Sequence, residues 1–117
     1  MEFTIEFYET ISGRCPMLEF LDDLKESDPD DFATIIAGLA KLRSRHYHQP
    51  PLSKPIGDAL FELRHVGKLN TRVIYFFMSR RRIIAVHGIR SKAAKISARD
   101  RRVALDRKRD WLERNPL

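Results

Sequence analysis

Three apolar runs in the second half of the chain, separated by short polar breaks, restrict the possible folds more than any other feature. They are Leu60-Phe61-Glu62-Leu63-Arg64, Thr71-Arg72-Val73-Ile74-Tyr75-Phe76-Phe77 and Ile83-Ile84-Ala85-Val86-His87-Gly88-Ile89. All are rich in β-branched and aromatic residues, which suit a pleated, half-buried surface. The breaks, Val66–Asn70 and Ser79–Arg82, are too short for the crossover that a parallel pair requires. An antiparallel meander is therefore predicted. The second and third runs are almost continuously apolar and are expected to be central, with helices over one face.

The rest of the chain is read around that meander. Phe3-Thr4-Ile5-Glu6-Phe7-Tyr8 alternates apolar and polar residues and predicts a strand. A turn over Ile11–Pro16 follows, and Pro16 suits the first position of a helix, which Leu18, Leu21 and Leu24 carry to about Lys25. Asp28 is placed to cap a second helix, with Pro29 just inside it. The stripe Phe32, Ile35, Ile36, Leu39, Leu42 takes that helix to about Arg45. Prolines 50, 51 and 55 and Gly57 predict a loop over residues 47–57. Ser97-Ala98-Arg99-Asp100 has the form of a capping box. The last helix is expected to start there, to run to about Arg114 and to be anchored mainly by Trp111. The fold class expected is α+β, one domain over residues 1–117: a small, mainly antiparallel sheet of an N-terminal strand plus the meander, two N-terminal helices against it, and a C-terminal helix.

Charge is unevenly distributed. Residues 1–31 balance to −8, residues 32–78 to +5 and residues 79–117 to +9, within a net +6. A strongly basic half points to a polyanionic partner. With 117 residues, 43% hydrophobic and 32% charged, the chain is long enough for one modest core and too apolar for wholesale disorder. No apolar run approaches the roughly 20 residues that span a bilayer, and no secretory signal is visible at Met1-Glu2-Phe3-Thr4. The single cysteine, Cys15, rules out an internal disulfide and fits a cytoplasmic setting.

Phosphate-binding glycine loops, paired metal-spaced cysteines and nucleophile elbows are all missing from the sequence. His46 and His48 lack a third ligand nearby and are expected to be polar surface, so neither metal nor cofactor is expected. The informative set is Arg64, Arg72, His87, Arg90, Lys92 and Lys95. Arg64 and Arg72 should meet at one rim of the meander. The end of the third strand is expected at the opposite rim of a flat sheet, so twist near Gly88 would have to bring Lys92 and Lys95 round. Several cations with few carboxylates suit charge stabilisation of a phosphodiester rather than two-metal hydrolysis. RNA supplies its own nucleophile, the 2′-hydroxyl, whereas DNA does not.

The residues Leu60–Arg64, Arg72–Phe77 and His87-Gly88-Ile89-Arg90-Ser91-Lys92-Ala93-Ala94-Lys95 resemble the phage-derived Gp49-like group of the RelE/ParE toxin superfamily, which includes HigB-type toxins. The resemblance implies a RelE-like fold and a type II toxin that cleaves mRNA in the ribosomal A site. It also implies rRNA contacts and neutralisation by a helix-turn-helix antitoxin. By the same resemblance Arg72 is expected to contact the scissile phosphate, Arg64 to support it, and Lys92 and Lys95 to stabilise charge or protonate the leaving group. His87 matches a strand histidine that is either functional or packed, Glu62 is a possible general base, and Arg90 lies beside the set. Lys54, Lys68, Arg99 and Arg102 are expected to contact RNA around the site. Arg72→Ala is expected to relieve growth arrest with the fold intact. Ser91, Ala93 and Ala94 depart from the family's lysine- and threonine-rich run, which bears on cleavage more than on fold. A ParE-like gyrase poison and a non-catalytic RNA- or protein-binding module remain the alternatives.

Overall fold

The computed structural model describes residues 2–116. Its order is β1 (Thr4–Phe7), α1 (Pro16–Ser27), α2 (Pro29–Lys41), β2 (Ser53–Gly57), β3 (Leu60–Val66), β4 (Asn70–Met78), β5 (Arg82–Ser91) and α3 (Ala98–Arg114). The five strands form one sheet in the order β1-β5-β4-β3-β2, with β1 parallel to β5 and every other neighbour antiparallel. The expected meander is β3-β4-β5.

Local chemistry sets the helix ends. Pro16 and Pro29 open α1 and α2, and the Asp28 side chain accepts from Asp31 N at 3.1 Å. The last turn of α2 tightens to i→i+3 bonds (Arg43 N to Ala40 O, Ser44 N to Lys41 O), so the α-helix stops at Lys41 rather than Arg45. Ser97 Oγ accepts from Asp100 N at 3.0 Å and donates to the Asp100 carboxylate at 2.8 Å, so Ser97 caps α3 as predicted and Asp100 returns to the cap hydroxyl.

Two expectations change. Residues 53–57 are a strand, not a loop. Pro55 and Gly57 read as turn signals, yet a proline is tolerated in an edge strand, and β2 is an edge strand bulged between those two residues. Helices also cover both faces of the sheet. Leu63, Val73, Tyr75, Ile83 and Ala85 pack under α1 and α2 with Met17, Leu21, Leu24, Ile35 and Leu39. On the other face Leu60, Ile74, Phe76, Met78, Ile84 and Val86 pack under α3, whose Ala104 is fully buried and whose Leu105, Trp111 and Leu112 flank it. Burial on both sides explains why β4 and β5 are nearly continuous apolar runs rather than alternating ones.

A bulge in β5 matters for the site. Ile74 pairs with His87 and Tyr75 with Ala85, leaving Val86 as the extra residue. From that point the facing of β5 is inverted. His87 and Ile89 turn to the α3 side, while Gly88 and Arg90 turn to the α1/α2 side. Gly88 is required there because Phe20 of α1 lies on it: a Cβ would sit 2.3 Å from the Phe20 ring carbons. Gly88→Ala is expected to cost about 1–3 kcal/mol in urea denaturation, the usual penalty for overpacking. Adding Phe20→Leu should recover part of that loss. An alanine variant as stable as the wild type would contradict this packing.

Candidate functional site: a basic cleft over a buried ion pair

Across the meander the chain reverses direction twice, so β5 runs the same way as β3. Its end therefore lies at the rim that carries Arg64 and Arg72, not at the opposite one. Arg64 faces Arg72, Arg72 faces Ile89, and Asn70 faces Ser91. No special twist is needed to bring Lys95 to the site, because simple alternation places it there.

The segment after β5 crosses directly over Arg72. Arg72 is 1% exposed and its fork is occupied. Nη2 donates to Ala94 O at 2.7 Å and to Ala93 O at 3.2 Å, and Nη1 to Ala93 O at 3.3 Å. Nε lies 3.1 Å from Glu62 Oε2, an ion-pair contact that lacks the angle of a hydrogen bond. Glu62 is 2% exposed, and its other oxygen is 3.6 Å from Lys54 Nζ. Asn70 Nδ2 also donates to Ala93 O at 2.8 Å. Arg72 thus clamps the 93–94 backbone onto the sheet and neutralises a buried carboxylate. Both Nη atoms are turned to the 93–94 carbonyls, and at 1% exposure the side chain is covered rather than open to solvent.

Above this pair is a cleft of about 320 Å³. Lys54, Lys95 and Arg101 line it, with Glu62 and Arg72 at the floor and Ile56 and Ile96 as apolar walls. Lys95 has no partner among the described residues. Arg101 is tethered, donating to Ile56 O and lying 3.4 Å from Asp58 Oδ2. Arg64 is exposed and unpartnered among the described residues, and lines a smaller adjoining cavity that also touches Lys54 and Glu62. At the cleft and this adjoining cavity, Lys54, Arg64 and Lys95 are therefore the exposed cations a polyanion can reach. A carboxylate held between cations beneath a basic cleft suits a phosphodiester: the ammonium groups meet its non-bridging oxygens.

Other residues of the expected set lie elsewhere. Arg90 turns to the opposite face, where its Nη2 donates to Asp28 at 2.8 Å and Asp31 at 3.1 Å at the start of α2. His65, which sequence reasoning did not single out, joins that network through Asp31 at 2.9 Å. His87 is packed between β5 and α3. Arg107 donates to its Nδ1 at 3.1 Å, so Nε2 carries the proton and donates to Asp100 at 2.8 Å. Burial pushes its pKa below the ordinary histidine value, partly offset by Asp100, so the neutral ring is the form built into the fold. Lys92, Lys68, Arg99 and Arg102 are exposed but outside the cleft lining. His48 is not polar surface as expected: it bonds Leu42 O at 2.6 Å and packs against Phe3 and Phe77.

A small α+β domain carrying a basic cleft at one sheet rim is the class these features define. A family model described as phage-derived protein Gp49-like (DUF891) matches residues 19–109, from α1 to most of α3, and the chain belongs to that family. No curated protein matches it.

The burial of Arg72 changes what its removal should do. Arg72→Ala strands Glu62 in the interior and releases the 93–94 backbone, so a loss of about 3–5 kcal/mol in chemical denaturation is expected. The double variant Glu62→Leu, Arg72→Met should recover most of it, because a buried pair replaced by apolar groups is close to neutral. Wild-type stability for the single variant would show that the pair is dispensable.

Proposed function

We propose that this chain is the toxin of a type II toxin–antitoxin pair and a ribosome-dependent mRNA endonuclease, acting in the cytoplasm and neutralised by a helix-turn-helix antitoxin. One observation carries the reading: the exposed cations Lys54 and Lys95 line a cleft whose one carboxylate among the described residues is the buried Glu62, and Arg64 stands on the cavity adjoining it. Membership of the Gp49-like family and the basic balance of the C-terminal half support it.

The bond exchange uses the RNA's own 2′-hydroxyl as nucleophile. The ribose 2′-oxygen bonds to the adjacent phosphorus as the bond from phosphorus to the 5′-oxygen breaks, leaving a 2′,3′-cyclic phosphate and a 5′-hydroxyl. The proton leaves the 2′-hydroxyl for a base, and another reaches the departing 5′-oxygen from an acid. Lys54 and Lys95 stabilise the charge that builds on the non-bridging oxygens. Lys95, at the open side of the cleft, is the donor for the leaving oxygen. Glu62, the carboxylate that lines the cleft among the described residues, takes the 2′-hydroxyl proton, and Arg64 holds a flanking phosphate. Arg72 contributes by fixing the segment that carries Lys95.

Primer extension on cellular mRNA after induction tests this directly. New 5′ ends within translated regions are expected for the wild type. Lys95→Ala is expected to reduce them about 10²-fold, in the range seen when one charge-stabilising donor is removed. Arg109→Ala, on the outer side of α3, should leave them unchanged. Growth arrest without new 5′ ends would overturn the endonuclease and turn attention to a gyrase target. Absence of both arrest and cleavage would leave a binding module.

A further inference from the structure

The cleft does not end at Lys54. A second cavity of about 440 Å³ opens beside Arg64, with Lys41, His46, Tyr47 and Pro51 in its wall. The smaller cavity of about 200 Å³ joins the two, since it shares Arg64 and Pro51 with one and Lys54 and Glu62 with the other. Arg64 and Glu62 are two residues apart on the same side of β3, about 7 Å along the strand. A continuous groove therefore follows the edge of the sheet from α2 to α3, with Lys41, Arg64, Lys54 and Lys95 along it.

The far end of the groove differs in kind from the cleft. Tyr47 is 36% exposed. The His46 ring meets it edge-on, with centroids 5.2 Å apart at 83°, and Lys41 Nζ lies 5.7 Å from the Tyr47 centroid. No acidic residue among those described lines this cavity. An exposed ring supported by a neighbouring ring and a cation, at the end of a row of cations, is the arrangement that binds single-stranded nucleic acid: charges track the phosphates and an aromatic face takes a base.

We propose that Tyr47, braced by His46 and Lys41, is a stacking site for an unpaired base of the RNA strand whose phosphates run past Arg64 and Lys54 to the cleft. The inference rests on the RNA-cleaving reading and adds a base-binding subsite one or more nucleotides away from the bond that is cut. Tyr47 is a binding residue and takes no part in the bond exchange.

The test uses the full chain and a 2′-O-methylated hexaribonucleotide, which cannot be cleaved by 2′-hydroxyl attack, carrying one 2-aminopurine. Moving the 2-aminopurine through the six positions should give one register in which binding quenches its fluorescence. In that register Tyr47→Ala should abolish the quench and weaken binding about tenfold, in line with the loss of one base–aromatic stack. Tyr47→Phe should retain both, and an abasic site in that register should weaken the wild type but not Tyr47→Ala. Equal binding and quenching by wild type and Tyr47→Ala, or no binding by the wild type, would overturn the subsite. The two readings fail separately. Quenching at Tyr47 without cellular cleavage sinks the endonuclease and keeps the subsite; cleavage with a Tyr47-independent hexamer does the reverse.

Discussion

The buried pair of Glu62 and Arg72 holds the rest of the site in place. Two charges removed from water are costly unless each meets a partner, and here each does. Glu62 has Arg72 and Lys54, while Arg72 has Glu62 and two backbone carbonyls of the 93–94 segment. The second set of contacts gives the pair its consequence. A stretch of chain leaving the sheet edge would otherwise be an exposed connection; pinned to Arg72, it holds Lys95 over the cleft. Arg72, which from sequence looks available to a ligand, is thus a buried residue that holds the 93–94 segment on the sheet.

The same division of labour runs through the basic half. Arg90 secures the start of α2 through Asp28 and Asp31. Arg101 donates to Ile56 O, Arg107 reaches Val86 O and His87, Lys108 reaches Asp58 O and Arg114 donates to Glu9 O, so the cations of α3 add to its apolar contacts in holding the helix in place. That compensates for a helix with few apolar residues. The cations left for a polyanion are fewer than the net charge suggests, and the untethered ones in the groove sit on α2, β2, β3 and the segment after β5, while Arg101 of α3 is held by Ile56 O and Asp58.

Much of the fold was legible because pattern and local chemistry agree. The meander, the Asp28 cap and the Ser97 cap all follow from short-range physics that tertiary packing does not override. The edge strand β2 was not legible, since Pro55 and Gly57 mimic a loop unless the neighbouring β3 is known. Nor was the β5 bulge, which has no signature in an unbroken apolar run yet decides that His87 and Arg90 leave the site by opposite faces. For the site, Lys54, Arg64 and Lys95 were recognisable as bases, but exposure was not. Sequence cannot show that Arg72 lies beneath two carbonyls 21 and 22 residues downstream, or that Tyr47 shares a groove with Arg64.

The central claim is that RNA is held by Lys54, Arg64 and Lys95 and not by Arg72. The salt dependence of binding measures this most directly, because each phosphate neutralised on a single strand contributes about −0.7 to the slope of log K against log salt. Replacing the three residues together by glutamine should make the slope shallower by about 2 while the fold, anchored by Glu62 and Arg72, persists. A slope unchanged in that triple variant would contradict the account.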